Sequence, residues 1–154
     1  MDQLDTIDSC EKGGYILLLD LEEESKIQIG RLGDITFDSG YYAYVGSAMR
    51  GLKQRISRHL RKEKNFHWHI DYLIEKASVS NVIVCQSGNS IECLIANEIG
   101  LEHKVINGFG SSDCKCPGHL FYGSVDFGSR ILKKLGSAGL KPFLIPVNKD
   151  DTGK

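Results

Sequence analysis

Seven residues near the start of the chain, Tyr15-Ile-Leu-Leu-Leu-Asp-Leu21, form a nearly unbroken apolar run opened by Gly13-Gly14. A run this short, entered through glycines, suits a central β-strand better than a helix, so the fold is organised around a sheet. Lys26-Ile27-Gln28-Ile29 and Asp34-Ile35-Thr36-Phe37 alternate polar and apolar residues around Gly30-Arg31-Leu32-Gly33. That alternation predicts a hairpin with one wet face. Tyr41-Tyr42-Ala43-Tyr44-Val45-Gly46 is aromatic-rich, ends on glycine and reads as a further interior strand.

Helical spacing follows. Leu52, Ile56 and Leu60 recur every fourth position and predict one apolar stripe over Gly51–Glu63. Arg55 and His59 fall at the margin of that stripe, while Arg58 and Lys62 extend the same side outward. An arginine beside the buried face of its own helix needs a partner, which invites a functional reading. A second helix is expected over Trp68–Lys76 and a strand over Val79–Gln86. Ser90 is expected to cap a third helix over Ile91–Ile99, which Gly100 ends. Beyond it lie a short apolar piece at Lys104–Ile106, a Gly/Ser loop from Gly108 to Asp113 and a strand opening at His119-Leu120-Phe121-Tyr122. A short helix is expected at Ser129–Leu135 and an edge strand at Pro142–Val147, its prolines restricting it to an edge. The reading is one mixed α/β domain with its core over about 13–147 and short tails, Asn148–Lys154 being frayed.

Composition narrows the class. The chain has 154 residues, 41% of them apolar, and no apolar stretch of the roughly 18 residues a membrane span needs. Met1–Gly14 has neither the basic flank nor the apolar run of a secretory signal. Five cysteines, Cys10, Cys85, Cys93, Cys114 and Cys116, are an odd number and read as reduced thiols. The expectation is a cytoplasmic protein without a membrane partner. Net charge is only −1, yet Arg50–Lys64 carries seven basic residues against one acid. That density suits a polyanion such as nucleic acid, and equally suits a solvated helix face.

The order of motifs resembles the GIY-YIG nucleases. Gly14-Tyr15-Ile16 stands where that superfamily has its first motif and Tyr44-Val45-Gly46 where it has its second. Arg55-Ile56-Ser57-Arg58-His59 is similar to its Arg-x-x-x-His helix. The run His67-Trp68-His69-Ile70-Asp71-Tyr72-Leu73 and the block from Gly108 to Tyr122 resemble the branch known as DUF123. The resemblance spans residues 14 to 122. It implies a small, mostly antiparallel sheet flanked by helices, with the hairpin as an insertion, and a phosphodiesterase centre using one Mg2+ or Mn2+ ion. It implies further that Tyr15 and Tyr44 orient or deprotonate water, Arg55 holds the scissile phosphate and His59 shares acid–base work or binds phosphate. A tyrosine near pKa 10 is a poor base unless a cation lowers it.

For the metal-binding glutamate, Glu92 fits the family pattern and gains from the helix dipole in the first turn. Its rival, Glu98, lies nearer the buried face of the same helix. The two motif tyrosines are 29 positions apart, wider than the tight hairpin common in that superfamily, because Glu22–Gly40 intervenes. The asparagine that other members carry after the glutamate has no clear counterpart, with Asn107, Ser111, Ser112 and Asp113 as candidates.

Nucleic-acid contacts are expected from Lys53, Arg58, Arg61, Lys62, His67, Trp68, His69, Ser111, Ser112 and Asp113. Trp68 serves either as core packing or as a stacking platform. Cys114-x-Cys116-x-x-His119 can be read as a zinc site with His67 or His69 as fourth ligand. A pair separated by one residue is unusual for tetrahedral zinc, which leaves a rigid hydrogen-bonded loop as the competing reading. Three functions are compatible with these residues: a divalent-metal nuclease acting on DNA, branched or damaged forms included; a non-catalytic nucleic-acid-binding module; and a small zinc-stabilised interaction protein. Recognition by so small a domain rests on backbone and shape, with a partner protein as one source of specificity.

Overall fold

The computed structural model describes residues 3–8, 10–112 and 114–147, so the expected fraying of Asn148–Lys154 lies outside the described residues. β1 (Gly13–Leu21) is buried on both sides. Tyr15, Leu17, Leu19 and Leu21 enter one apolar core, and Ile16 and Leu18 enter the other. Two-sided burial explains why the segment reads as continuous rather than alternating apolar sequence. Each fully buried leucine contributes roughly 1.5–3 kcal/mol by its removal from water.

β1 pairs antiparallel with β4 (Gly40–Ala48) on one side and β5 (Ser78–Gln86) on the other. β6 (Lys104–Val105), β7 (Leu120–Gly123) and β8 (Phe143–Pro146) complete a six-stranded antiparallel sheet, in the order β6-β7-β4-β1-β5-β8. Pro146 lies on β8 at the edge, as its missing N–H requires. β2 (Ser25–Ile29) and β3 (Gly33–Phe37) form a separate two-stranded hairpin. It does not extend the sheet. Instead Ile27, Ile29 and Phe37 join the first core beside α2 (His69–Ile74).

That core is covered by α1 (Leu52–Leu60), through Leu52, Ile56 and Leu60, and by Ile70 and Leu73 of α2. The opposite core is covered by α3 (Glu92–Gly100), through Ile95, Ala96 and Ile99, and by α4 (Phe127–Ser137), through Phe127, Ile131 and Leu135. The fold is α+β, a mostly antiparallel sheet between helical layers. No helix among the described residues is long and apolar enough to cross a membrane.

The boundaries of all four helices differ from the expectation; α4, expected over Ser129–Leu135, runs over Phe127–Ser137. α1 stops at Leu60 because Arg61 turns extended, at φ −67° and ψ 135°, and the Lys64 ammonium donates to the carbonyl oxygens of Arg58 and His59. Ser90 does not cap α3, which has no side-chain cap; its hydroxyl lies 3.5 Å from that of Ser47. α2 is short and is capped from its first turn by Asp71, whose carboxylate accepts from the backbone N–H groups of His67 and Trp68 at 2.8 and 3.0 Å.

Candidate functional site

Strand register places the two tyrosine motifs side by side. Tyr15 on β1 stands opposite Gly46 on β4, and Leu17 opposite Tyr44. The Tyr15 ring lies across the backbone of Gly46, so that a Cβ there would fall 2.3 Å from the ring's Cζ and Oη. Only glycine leaves room for it. Gly110 plays a related part for the second ring: it has φ +71°, and a Cβ there would sit 3.0 Å from Tyr44 Cε1.

Tyr15, Tyr44, Gly46, Ser47, Arg55, Trp68, Glu92, Gly110, Cys114 and His119 line a single cleft of about 190 Å3. Two phenols, a guanidinium and a carboxylate from β1, β4, α1 and α3 therefore converge. Arg55 donates to the Ser47 carbonyl at 3.0 Å, and its guanidinium lies 4.5 Å from the Trp68 ring centroid. Glu92 lines the cleft, whereas Glu98 and Asn107 do not.

His59 is displaced from the role expected of it. It is 1% exposed and lies behind Tyr15, whose hydroxyl is 2.6 Å from His59 Nε2. It does not line the cleft, and its hydrogen bond to a cleft residue is the one with the Tyr15 hydroxyl. Burial lowers its pKa to about 3, so the ring is neutral at physiological pH. Its Nδ1 has no hydrogen-bond partner. Burial likewise raises Tyr15 well above its ordinary value of 10, against the opposing charge of Arg55. Tyr44 is raised by burial as well. Both phenols stay protonated at neutral pH, so neither is a general base by itself.

The expected nucleic-acid contacts divide. Arg58 is spent on the fold: Nη1 and Nη2 donate to the two Asp71 carboxylate oxygens at 2.9 and 3.0 Å, and Nη2 also donates to the Asn65 carbonyl. Asp71 is fully buried, and burial alone would raise its pKa. The hydrogen bonds from Arg58, His67 and Trp68 outweigh that and hold it below the usual carboxylate range. The Arg58 charge is thus balanced by Asp71, although its side chain also lines the groove formed by Arg61, Lys62 and His67.

Trp68 takes the core-packing role and also borders the cleft, with Arg55 and Arg58 both over its ring. His69 faces the loop, its Nδ1 accepting from the Gly110 N–H at 2.9 Å. Arg61, Lys62 and His67 are exposed along an adjoining groove with Asn65 and Phe66. Lys53, Ser111 and Ser112 do not line the cleft, and Asp113 lies outside the described residues.

A second constellation adjoins the first. The ligand atoms of Cys93, Cys114, Cys116 and His119 all lie within 4.8 Å of one another. Cys93 is the residue that sequence reading missed; His67 and His69, expected as the fourth member, lie elsewhere. Burial, followed by the neighbouring Cys93 and Cys114, pushes the Cys116 thiol up to about 12. Buried His119 has its Nδ1 3.6 Å from Glu92 Oε2, so this cluster backs directly onto the carboxylate of the cleft.

The fold is thus an antiparallel α+β domain whose inner strands and helices bring two phenols, a guanidinium and a carboxylate to one cleft. The chain belongs to the DUF123 family: that family's model, described as a domain of unknown function, matches residues 14–138, which include every residue of the cleft. No curated protein and no solved structure matches it.

Proposed function

We propose that the protein is a GIY-YIG-type nuclease that hydrolyses phosphodiester bonds in nucleic acid, DNA by expectation, with one Mg2+ or Mn2+ ion at Glu92. The observation that carries the reading is the convergence of Tyr15, Tyr44, Arg55 and Glu92 on one small cleft. The donor set fits such an ion. Mg2+ keeps several waters and is commonly held by one or two carboxylates plus substrate phosphate, and Glu92 offers a carboxylate with a 29% exposed side chain at the cleft wall. When bound, the ion supplies Lewis-acid activation of water and charge neutralisation.

The chain's own residues then have distinct tasks. Arg55 pairs with a non-bridging phosphate oxygen, its guanidinium fixed by the Ser47 carbonyl and the Trp68 face. With the neutral His59 ring protonated on Nδ1, the Tyr15 hydroxyl donates a hydrogen bond to Nε2 and keeps its oxygen lone pairs to accept from a water in the cleft. His59 is a positioning residue that fixes this polarity. The Tyr44 hydroxyl supplies a second neutral hydrogen-bonding group on the same wall. Arg61 and Lys62 on the adjoining groove add exposed positive charge for flanking phosphates.

The test is cleavage of labelled single-stranded, duplex and branched DNA by the full chain with Mg2+ or Mn2+. Arg55→Ala and Glu92→Ala should abolish cleavage while salt-sensitive binding persists. Substrates left intact with both metals would refute the nuclease reading, and binding without cleavage would favour a recognition module.

A further inference from the structure

We infer that Cys93, Cys114, Cys116 and His119 form a closed, structural Zn2+ site that fastens the loop between β6 and β7 to the start of α3. The inference stands independently of the nuclease reading.

Three elements deliver the ligands. Cys93 is the second residue of α3, Cys114 and Cys116 lie in the β6–β7 loop, and His119 immediately precedes β7. The loop is folded back and pinned: the Gly108 N–H donates to the Pro117 carbonyl and the His119 N–H to that of Phe109, each at 2.7 Å. Gly118 passes so near Ile106 that a Cβ would lie 2.4 Å from its carbonyl oxygen. This bend brings both sulfurs of a Cys-x-Cys pair to one point, the arrangement that an extended chain would strain.

The spacing is that of a tetrahedral ion. With Zn–S of about 2.3 Å and Zn–N of about 2.0 Å, tetrahedral ligand atoms sit roughly 3.5–3.8 Å apart. Here all four fall within 4.8 Å of one another, and Cys114 Sγ is already 3.4 Å from His119 Nε2.

A second observation points to the same ligand set. His119 is 1% exposed, and its Nδ1 has no hydrogen-bond partner although it is 3.6 Å from Glu92 Oε2. Coordination through Nε2 fixes the neutral ring's proton on Nδ1, aimed at that carboxylate. Metal-bound histidines usually donate their other ring N–H in this way. Three thiolates and one imidazole leave no open position, so the ion holds structure and does not activate water. It also sets Cys114 and His119, and through His119 the Glu92 carboxylate, as one wall of the cleft.

The experiment is elemental analysis of the purified full chain, paired with Co2+ replacement. The expected result is one zinc per chain, and for cobalt the visible bands of a tetrahedral site with thiolate-to-metal charge transfer. Cys93→Ser should lose stoichiometric zinc, and Cys10→Ser, at an exposed thiol outside the cluster, should keep it. Glu92→Gln should weaken zinc binding by roughly 10–100-fold, as removal of a histidine's outer partner does. If Cys93→Ser fails to fold, Cys93→His preserves four ligands and should retain zinc with a weaker thiolate–cobalt band. A chain carrying no metal, or iron, overturns the inference. So does a Cys93→Ser chain that holds zinc as tightly as the parent.

Discussion

His59 gives the sharpest stability prediction, because it is a buried, neutral histidine whose Nδ1 has no hydrogen-bond partner. Its pKa falls from 6.5 to about 3 on folding, chiefly by burial. The unfolded chain therefore takes up a proton that the folded chain refuses as pH drops below 6.5. The contribution to stability is complete above that value and is lost progressively as pH falls toward 3. Linkage puts the loss at about 2 kcal/mol at pH 5 and about 3 kcal/mol at pH 4. His59→Gln retains a group that can accept from the Tyr15 hydroxyl but does not titrate. Urea unfolding of both chains at pH 7, 6, 5 and 4 isolates the term, since the other histidines and the cysteine cluster cancel in the difference. The parent should lose about 2 kcal/mol more than His59→Gln between pH 7 and pH 5. Parallel stability curves would show that His59 is solvated or charged in the native state and would refute the reasoning.

Other perturbations test the packing around the cleft. Gly46→Ala places a methyl 2.3 Å from the Tyr15 ring, which is buried and tied to His59, and should cost roughly 1–3 kcal/mol in urea unfolding; unchanged stability would mean that the ring is free to move. Arg58→Ala strands the fully buried Asp71 and should cost about 3 kcal/mol, the low end of the range because two backbone N–H groups still reach the carboxylate. Adding Asp71→Asn should recover part of that loss. Lys62→Ala, at an exposed position, should change stability by less than about 0.5 kcal/mol while reducing the salt dependence of nucleic-acid binding.

β1 and β4 were legible in the sequence because glycines bound their apolar runs, and β5 and β8 because their runs are short and apolar, whereas β6, two residues long, was read only as a short apolar piece. The hairpin was legible too, but not its placement. Twenty-nine positions separate Tyr15 from Tyr44, yet β1 and β4 are direct neighbours, because the inserted hairpin leaves the sheet and packs on α2. Arg55 at the margin of the α1 stripe reaches the cleft as its position suggested. Arg58, one turn-step away, does not, because its partner Asp71 is thirteen residues downstream and no helical periodicity links the two. An acid three residues after the only tryptophan, at the start of an expected helix, was the available signal for a capping carboxylate. Cys93 was invisible as a fourth ligand for a similar reason. It sits 21 positions before Cys114, and only the packing of α3 against the β6–β7 loop brings the sulfurs together.

The charge balance of the cleft shows why the proposed hydrolysis would call for a cation. Arg55 contributes one positive charge and Glu92 one negative, while Tyr15, Tyr44 and His59 are held neutral by burial. Arg58, the other cation over Trp68, is cancelled by Asp71. The cleft is therefore close to neutral, although it stands beside a strongly basic segment. A phosphodiester brings one negative charge, and attack by hydroxide brings a second, so Arg55 alone leaves the transition state undercompensated. A divalent ion on Glu92 restores the balance. Three thiolates on a zinc ion behind His119 would add a net negative charge to the same wall and strengthen that requirement. Under the proposed nuclease reading, Arg61 and Lys62 of the groove would gather the polyanion, and selectivity for the reacting phosphate would depend on an ion at Glu92. Binding should therefore survive chelation of Mg2+ or Mn2+, and cleavage should not.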